Sequence, residues 1–414
     1  MRIGYYAHHH GSGHCRQADK LAALLPIEWQ QQLTVFTSLP VDAYRFTTLT
    51  EAQIIRLNPE DELAEDVLAG RAGQYWQPAA LHYSPVGNSD IQKRSWQILA
   101  TIQQRQIELM IIDVSAEVAM LCRACSVPYL YVRLPGERDD TAHISAFTGA
   151  IGLLAPYPRA LEATMTPAWV TNKTLYLDFL SATNSDPLTY KAFLQRLVDL
   201  ALATEQAEVK SLIDSTSVGD SKQQNQPLIV TVIKGYGGHQ AIDAKLPALR
   251  QALPEALILS LGPISDEVRQ YVDIATEVDD VTPFIAHSDW LLMACGLNAI
   301  AQVYRYDTPL VVLPDPRPHR EQEVMAEALI AEGRALSWQQ FIRQLAAGRV
   351  QSTPSLQVPL TVEVPLNKHS ISKAADNQAT ATAQTFMDSL VAYSGNKQWF
   401  QQWLLPQLQL TPDT

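Results

Sequence analysis

Short apolar runs alternate with segments of helical periodicity in the first half of the chain. The runs predict buried strands at Ile3–Ala7, Leu33–Thr37, Ile54–Leu57, Leu109–Asp113, Tyr129–Val132 and Ile151–Ala155. Apolar residues at helical spacing predict helices at Gln17–Leu25, Ile91–Gln104 and Glu117–Cys125. Strands that alternate with helices in this way favour a parallel sheet covered by helices.

The same alternation returns after a polar segment in the middle of the chain. Residues 186–215 have a helical pattern, and residues 216–227 have the polar composition of a linker. Beyond the linker, the pattern predicts strands at Leu228–Ile233, Leu257–Leu261, Trp290–Met293 and Leu310–Leu313, and helices at Ala241–Ala252, Asn298–Tyr304 and Gln322–Glu332. The predicted architecture is α/β, with two Rossmann-like domains that face each other across a cleft.

We place the domain boundaries at this linker. Residues 1–215 form the predicted first domain, and residues 228–390 form the second. The tail, residues 391–414, carries Trp399, Phe400 and Trp403, and we expect it to pack back onto the first domain. A peripheral contact with a membrane or a partner is the alternative for these aromatic residues.

Composition narrows the class of protein. The 43 acidic and 31 basic residues give a formal net charge of −12, which disfavours a nucleic-acid binder because such proteins present a basic face. No apolar run reaches the roughly 18–20 residues of a membrane-spanning helix, and the N-terminus lacks a signal-peptide pattern. We therefore expect a cytoplasmic protein whose four cysteines, including the CxxC pair Cys122 and Cys125, are reduced thiols.

The first strand leads into a loop rich in glycine and histidine. The sequence HHHGSGH follows Ile3–Ala7 and precedes the first helix. Such a loop lies at the carboxyl end of a strand, where open parallel sheets bind ligands, and its glycines let a ligand approach the backbone. His14 is our candidate proton-transfer group, and the loop residues His10, Gly11, Ser12 and Gly13 are expected to line the ligand site.

Three loops of the second domain offer groups for an anion or a sugar. Gly235, Tyr236, Gly237 and Gly238 follow a strand, and their backbone N–H groups can form an anion-binding nest. The segment Cys295, Gly296, Leu297 and Asn298 precedes a helix and offers backbone N–H groups to a diphosphate. Arg320, Glu321 and Gln322 begin the next helix and provide polar groups suited to sugar hydroxyls.

Three further polar residues lie in the first domain near predicted strand ends. Asp113 ends a strand, and we predict it as a catalytic residue with His14, suited to orienting a histidine or to binding the second substrate; capping a helix is the alternative. Arg133 and His143 are weaker candidates for binding the second substrate.

We expect no metal site. His8, His9 and His10 are adjacent in an extended segment, so their side chains point in different directions and do not converge on one ion. The pair Asp139 and Asp140 resembles a metal-binding carboxylate pair superficially, and a loop that is solvated or lies on the side of the second substrate is the preferred interpretation.

The motif GSGH and residues 228–335 resemble the glycosyltransferases of the GT-B fold. The resemblance is greatest to the family 28-like group that contains the peptidoglycan lipid-linked N-acetylglucosaminyltransferase. It implies that His14 acts as the base, that Phe284 and Ile285 hold the nucleotide base, and that Cys295 to Asn298 bind the diphosphate. Glu321 and Gln322 fall where that family contacts the donor sugar.

The resemblance implies inverting transfer of a sugar from a nucleotide-diphosphate sugar, UDP in particular, to an acceptor hydroxyl. No cofactor or metal is expected, because backbone N–H groups can stabilise the leaving diphosphate. The first domain would bind the acceptor, whose identity the sequence leaves open, and the second would bind the donor. A nucleotide-sugar hydrolase or 2-epimerase, or a non-catalytic nucleotide-sugar-binding protein, are the alternatives.

One residue departs from the family pattern. Gln302 occupies the position at which the family has a glutamate that binds both ribose hydroxyls. An amide lacks the charge-assisted double acceptance of a carboxylate.

We predict that Gln302→Glu tightens the binding of UDP, by about tenfold, because one hydrogen bond to the ribose becomes charge-assisted. Isothermal titration with UDP measures the change. Unchanged or weaker affinity would show that the register or the choice of nucleotide is wrong.

Overall fold

The computed structural model describes residues 1–8, 12–59, 79–84, 87–177, 179, 188–203, 227–235 and 240–347. Several predicted features lie outside this part of the chain: His10, Gly11, Tyr236, Gly237, Gly238, nearly all of the linker and the whole tail from residue 391. Contacts divide the described residues into two compact units. The first comprises Met1–Arg159 with Thr164–Ala182, and the second Ala160–Ala163 with Thr183–Asn367. Among the helices described, none is both long and apolar enough to cross a membrane.

The first unit is built on a seven-stranded sheet in the order β3-β2-β1-β4-β5-β6-β7. Its strands are β1 (Ile3–Tyr6), β2 (Thr34–Thr37), β3 (Ile54–Arg56), β4 (Leu109–Asp113), β5 (Tyr129–Val132), β6 (Gly152–Ala155) and β7 (Thr174–Tyr176). Its α-helices are α1 (Gly13–Leu24), α2 (Ile27–Gln30), α3 (Ser89–Gln104), α4 (Ala116–Ala124), α5 (Thr141–Gly149) and α6 (Ala168–Asn172). Every strand pair is parallel.

The second unit is built on a six-stranded parallel sheet in the order β10-β9-β8-β11-β12-β13. Its strands are β8 (Ile229–Ile233), β9 (Leu257–Leu261), β10 (Ile274–Thr276), β11 (Trp290–Met293), β12 (Leu310–Val312) and β13 (Ala335–Ser337). Its α-helices are α7 (Tyr190–Ala203), α8 (Gln240–Asp243), α9 (Leu246–Ala252), α10 (Thr282–His287), α11 (Leu297–Val303), α12 (Glu321–Ala331) and α13 (Trp338–Ala346). The predicted pair of Rossmann-like domains is confirmed.

Both faces of each sheet are buried, which explains the continuous apolar runs in the sequence. In the first unit, α1 packs on one face of the sheet through Ala18 and Leu21, and α3 packs on the other through Ile98 and Ile102. The second sheet is likewise covered on two sides by separate apolar clusters.

Helix α7 belongs to the second unit rather than the first. Phe193 and Leu197 of α7 pack against Ile229, Leu259 and Phe284 in one apolar cluster. The division therefore falls near residue 182, whereas the polar composition led us to place it after residue 215. The difference arises because the helical pattern itself does not specify which sheet covers its apolar face.

Three strands were not predicted: β7, β10 and β13. Each has three residues and lies at the outer edge of its sheet. Each contains only two apolar residues, whereas β3, an edge strand of equal length, was predicted because Leu57 follows it and lengthens the apolar pattern.

The strand order reverses once in each sheet. In the first, β2 lies on one side of β1 and β4 lies on the other; in the second, β9 and β11 flank β8. Open parallel sheets bind ligands at the carboxyl ends of the strands where this reversal occurs. Those points lie between β1 and β4 and between β8 and β11.

A buried carboxylate fixes helix α1 to the loop that follows β2. Asp19 of α1 accepts hydrogen bonds from the Tyr44 hydroxyl at 3.0 Å, the Thr47 N–H at 2.8 Å, the Thr47 hydroxyl at 2.7 Å and the Thr48 N–H at 2.8 Å. Burial by itself would raise the pKa of Asp19, but the hydrogen bonds from Thr47 and Thr48 outweigh it and lower that pKa. The contact holds the helix whose first turn carries His14.

We predict that Asp19→Asn lowers the free energy of unfolding by about 2–3 kcal/mol at pH 7, because an amide nitrogen replaces one acceptor oxygen and leaves buried donors unsatisfied. The folded-state pKa of Asp19 is depressed, so the carboxylate's contribution is complete above its unfolded pKa, about 3.9, and is lost as pH falls through the folded value. Urea unfolding at pH 7 and at pH 3 should therefore show a smaller difference between the two proteins in acid. A difference independent of pH would contradict this account.

Candidate active site

The side chains of His14 and Asp113 meet at the carboxyl edge of the first sheet. His14 lies in the first turn of α1, and Asp113 is the last residue of β4, which pairs with β1. His14 Nδ1 is 2.9 Å from Asp113 Oδ2, and the His14 side chain is 14% exposed. If Nδ1 carries the proton and donates it to the carboxylate, Nε2 can accept a proton from a ligand. The structure thus brings the two predicted catalytic residues together.

Tyr5 also binds the carboxylate of Asp113. The Tyr5 hydroxyl donates to the same Oδ2 at 3.1 Å, and both side chains are buried. Burial, together with the neighbouring carboxylate, raises the pKa of Tyr5 well above its ordinary value, so the phenol keeps its proton. Asp113 Oδ1 has no hydrogen-bond partner among the described residues. Burying a carboxylate with one oxygen not hydrogen-bonded is costly. We infer that Asp113 is kept in this position because it holds the His14 ring in one orientation.

The backbone is strained immediately after Asp113. Val114 has a φ of 54°, a left-handed conformation that costs a β-branched residue on the order of 1–3 kcal/mol. The next residue, Ser115, caps α4 by accepting a hydrogen bond from the Val118 N–H. The sharp turn lets β4 end on a carboxylate at the sheet edge while α4 starts three residues later.

The predicted loop residues Ser12 and Gly13 form the start of α1. Gly13 is the first residue of the helix, and Ser12 precedes it as the N-cap, although its side chain makes no capping hydrogen bond. The His8 and His14 rings lie 5.5 Å apart between centroids. The described part of this loop therefore places imidazoles at the carboxyl end of β1.

Two glycines border open space at the reversal point of the second sheet. Gly235 lies just beyond the end of β8, and Gly296 lies between β11 and α11. A Cβ atom built on either residue would meet no heavy atom of the described residues within 4 Å. A ligand can therefore approach the backbone closely at the point where this topology favours binding.

A buried ion pair supports the first of these glycines. Lys234 Nζ donates to Asp243 Oδ1 at 2.6 Å, and Asp243 Oδ2 accepts from the Ser265 hydroxyl at 2.8 Å. Burial lowers the pKa of Lys234; for Asp243, burial is outweighed by the hydrogen bonds from Lys234 and Ser265, so its pKa is also lowered. Sequence analysis missed this pair, because nine residues separate its members and nothing in the pattern marks them as neighbours.

Close packing against Lys234 requires a glycine at position 262. It has a φ of 100°, and a Cβ atom there would lie 2.4 Å from the backbone oxygen of Lys234. Its role is steric, in contrast to the open surroundings of Gly235 and Gly296.

A cavity of about 410 Å³ lies at the carboxyl ends of β8 and β9. Its volume is within the range of about 300–1,000 Å³ found for small-molecule sites. Both apolar and charged side chains line the cavity: Arg196, Leu200, Ile233, Lys234, Leu261, Glu277, Val278, Asp279 and Val281. The sequence did not predict most of these residues as part of a site, because they come from separate segments that only the fold brings together.

Gln322 ties two loops of the second unit together. Its Oε1 accepts the N–H of Cys295 at 3.2 Å and the N–H of Asp315 at 3.0 Å. The side chain is largely buried, so its acceptor oxygen is committed to positioning the loops after β11 and β12. A contact between Gln322 and a donor sugar stays a prediction, and it would have to use the amide nitrogen.

The residues before Gln322 adopt an unusual backbone conformation. His319 and Arg320 have φ values of 58° and 50°, two successive left-handed residues without glycine. Arg320 precedes α12 and donates to Glu327 Oε1 at 2.6 Å, while Glu321 is the first residue of that helix. Because strained loops concentrate at functional sites, this loop remains a candidate for ligand binding.

The side chains of Phe284 and Ile285, which we predicted to hold a nucleotide base, are buried, and that role stays a prediction. Both side chains lie in the core, where Phe284 packs against Phe193. Their N–H groups bond to Val281, and the Ile285 carbonyl accepts from the Thr308 hydroxyl at 2.6 Å. Neither side chain reaches open space, because both lie on the buried face of α10; the family resemblance that pointed to them gives a position in the chain, not the direction of a side chain.

The remaining residues of the predicted diphosphate turn differ in exposure. Cys295 and Leu297 are buried, and burial raises the pKa of the Cys295 thiol, so both side chains face the core. Asn298 is half-buried in the first turn of α11. Gln302 is exposed one turn later, and its Nε2 donates to the Asn298 carbonyl at 3.1 Å.

Arg133 and His143 are buried rather than presented to a ligand. Arg133 Nη1 donates to Thr174 Oγ1 at 3.0 Å, and its guanidinium lies 5.6 Å from the Phe147 ring centroid. His143 Nδ1 is 2.5 Å from Asp140 Oδ2, and Arg138 Nη1 is 3.0 Å from His143 Nε2. Both residues therefore contribute to the packing of the first unit, and a role in binding the acceptor stays a prediction.

His82, Asp140 and His143 form a cluster whose side chains are of metal-ligand type. His82 Nε2 is 3.0 Å from Asp140 Oδ1. Burial and the charge of Arg138 lower the pKa of His143 to about 3, so this imidazole is neutral near pH 7. The positive guanidinium of Arg138 lies against the His143 nitrogen that would otherwise face an ion, which does not fit a cation site.

No family model and no curated protein sequence matches this chain. Solved structures do match it over nearly its whole length. MurG of Acinetobacter baumannii has 12% identity and a TM-score of 0.51, covering 93% of this chain and 100% of its own. The spinosyn forosaminyltransferase SpnP has 11% identity and a TM-score of 0.53, covering 99% and 98%.

A third similar structure is a transferase of the UGT type from Siraitia grosvenorii, in complex with UDP. It has 11% identity and a TM-score of 0.53, covering 98% of this chain and 99% of its own. At such identities these likenesses establish the fold, and the fold of this chain is that of the GT-B glycosyltransferases.

We predict opposite effects for alanine at two glycines. Gly296→Ala should leave the melting temperature unchanged, because the new Cβ enters open space, yet weaken UDP binding about tenfold by obstructing a close approach to the backbone. Gly262→Ala should lower the melting temperature by several degrees, because of its left-handed φ and its contact with Lys234. Calorimetric melting and UDP titration measure both effects. A destabilised Gly296→Ala protein would show that its surroundings are not open.

Proposed function

We propose that this protein is a glycosyltransferase that moves a sugar from a nucleotide-diphosphate sugar to an acceptor hydroxyl, with inversion and without a metal ion. UDP is the proposed nucleotide. The observation that carries the proposal is the contact between His14 and Asp113 at the reversal point of the first sheet, in a chain with the GT-B fold. The proteins with similar folds include transferases and one complex with UDP, which supports this assignment.

The second unit would bind the donor. Gly235 and Gly296 offer close backbone approach to a diphosphate, and the 410 Å³ cavity at the ends of β8 and β9 is large enough to accept the nucleoside. Its apolar walls suit the faces of a base, and the exposed carboxylates of Glu277 and Asp279 suit hydrogen bonds from ribose hydroxyls. These residues are nucleoside contacts proposed in addition to Phe284 and Ile285.

The first unit would supply the base. The acceptor hydroxyl gives its proton to His14 Nε2 as its oxygen forms a bond to the anomeric carbon, and the bond from that carbon to the diphosphate oxygen breaks. The nucleoside diphosphate leaves with the bonding electron pair. Asp113 holds the imidazole in the tautomer that can accept the proton, and its negative charge stabilises the imidazolium that forms.

The contacts of Asp140 are consistent with His14 as the base. Asp140 caps α5 and is bonded to His82 and His143, so it is committed to the structure of its own loop. Metal independence and a cytoplasmic location stay predictions.

We predict that His14→Ala lowers kcat by about 100-fold to 10,000-fold, the usual contribution of a general base, while UDP binds with unchanged affinity. Release of UDP from UDP-glucose and UDP-N-acetylglucosamine in the presence of hydroxylated acceptors measures kcat, and isothermal titration measures binding. His287→Ala is the matched control, because His287 is bonded to the Leu188 carbonyl in the second unit and has no role in the proposed chemistry.

Three outcomes would contradict the proposal. An equal loss of UDP affinity in His14→Ala would remove the case for a base. Rapid release of free sugar without any acceptor would identify a hydrolase instead of a transferase, and binding without turnover across the panel would identify a sugar-nucleotide-binding protein.

A further inference from the structure

A second cavity lies in the first unit, between helices α3 and α4 and the segment 81–84. Its volume is about 220 Å³. Most of its wall is apolar, and the apolar residues are Leu81, Ile91, Ile98, Val118, Met120 and Leu121. Pockets that enclose a whole drug-sized ligand measure about 300–1,000 Å³, so this cavity suits the apolar portion of a ligand.

Arg94, one of two charged residues that line this cavity, connects it to the carboxyl edge of the sheet. Arg94 donates to the Tyr6 hydroxyl at 2.5 Å, to Ser38 Oγ at 2.9 Å and to the Asn58 carbonyl at 2.8 Å. Tyr6 is the last residue of β1, whose loop leads to His14, so the guanidinium fixes the cavity next to that strand end.

Glu117 makes the corresponding connection to β4. Its Oε2 accepts from the Ser115 hydroxyl at 3.2 Å, and Ser115 lies two residues after Asp113. The cavity is therefore anchored to two neighbouring strands: β4, which carries Asp113, and β1, whose loop leads to His14 at the start of α1.

The wall formed by residues 81–84 is held by the same carboxylate. Glu117 Oε1 accepts the backbone N–H of His82 at 2.6 Å and of Tyr83 at 2.9 Å. Two backbone donors bonded to one charged acceptor fix this segment against α4, so the cavity is a formed feature of the unit.

We propose that this cavity binds the apolar portion of the acceptor, and that the acceptors of this protein are small apolar compounds, aromatic or alicyclic, that carry a hydroxyl group. This inference rests on the proposed function. Burial of an apolar group against six apolar side chains supplies the binding free energy, and the inference requires the hydroxyl to reach His14 at the start of α1. A fully polar acceptor such as a free sugar would leave its hydroxyl groups unbonded against this wall, which is costly.

The test uses 2-naphthol, an apolar bicyclic compound with one hydroxyl, and the full-length protein. Ser95→Phe places an aromatic ring into the cavity from a half-buried position on α3. Gln103→Phe is the matched control, because it adds the same ring at an exposed position of the same helix that does not line the cavity. Titration calorimetry measures the affinity for 2-naphthol, for N-acetylglucosamine and for UDP with each protein.

We expect saturable binding of 2-naphthol to the unmodified protein and to Gln103→Phe, and about tenfold weaker binding to Ser95→Phe, with equal UDP affinity in all three. Leu121→Gln, which keeps the volume of the side chain but removes apolar contact, should weaken 2-naphthol in the same direction.

Absence of saturable 2-naphthol binding, equal binding by Ser95→Phe, or tighter binding of N-acetylglucosamine would overturn the inference. Failure of the proposed function is a different result: UDP would not bind to any of the proteins, while cavity-dependent binding of 2-naphthol would persist and mark a binding site without a transferase.

Discussion

Parallel strand pairing is the constraint on which the other features of both units depend. When every strand of a sheet runs in the same direction, each loop that connects a strand to the next helix leaves the sheet at one edge. His14 and Asp113 are 99 residues apart in sequence, yet they meet because β1 and β4 are neighbours and both end at that edge. The same geometry brings Gly235 and Gly296 to the ends of β8 and β11.

Buried and half-buried polar side chains then fix the loops that strand pairing brings to this edge. Asp19, Glu117, Asp243 and Gln322 each accept hydrogen bonds from backbone N–H groups of a different segment. A backbone donor buried without a partner costs about 1–3 kcal/mol, so each acceptor specifies where its loop lies. The loops at the candidate site are in this way held by side chains that do not themselves perform chemistry.

The sequence pattern was informative for residues whose role is local. Strand and helix positions followed from apolar spacing, and His14 was identifiable because a glycine-rich loop between a strand and a helix is a local feature. Phe284, Ile285, Arg133 and His143 were assigned to ligands and proved to be packed in the core. Their places along the chain were predicted correctly. Whether a side chain lies in the core or in a ligand site, however, depends on which other element packs against it.

By itself, the sequence determined the order of elements, the presence of two α/β units and the candidate base, since hydrophobic periodicity and loop composition depend on neighbouring residues. Tertiary structure decided which sheet α7 covers, that Asp113 is the partner of His14, and that residues from α7, β8 and the loop after β10 line one cavity. The physical reason is that these contacts join residues far apart in the chain, and their distances are set by strand order and packing, which no local pattern encodes.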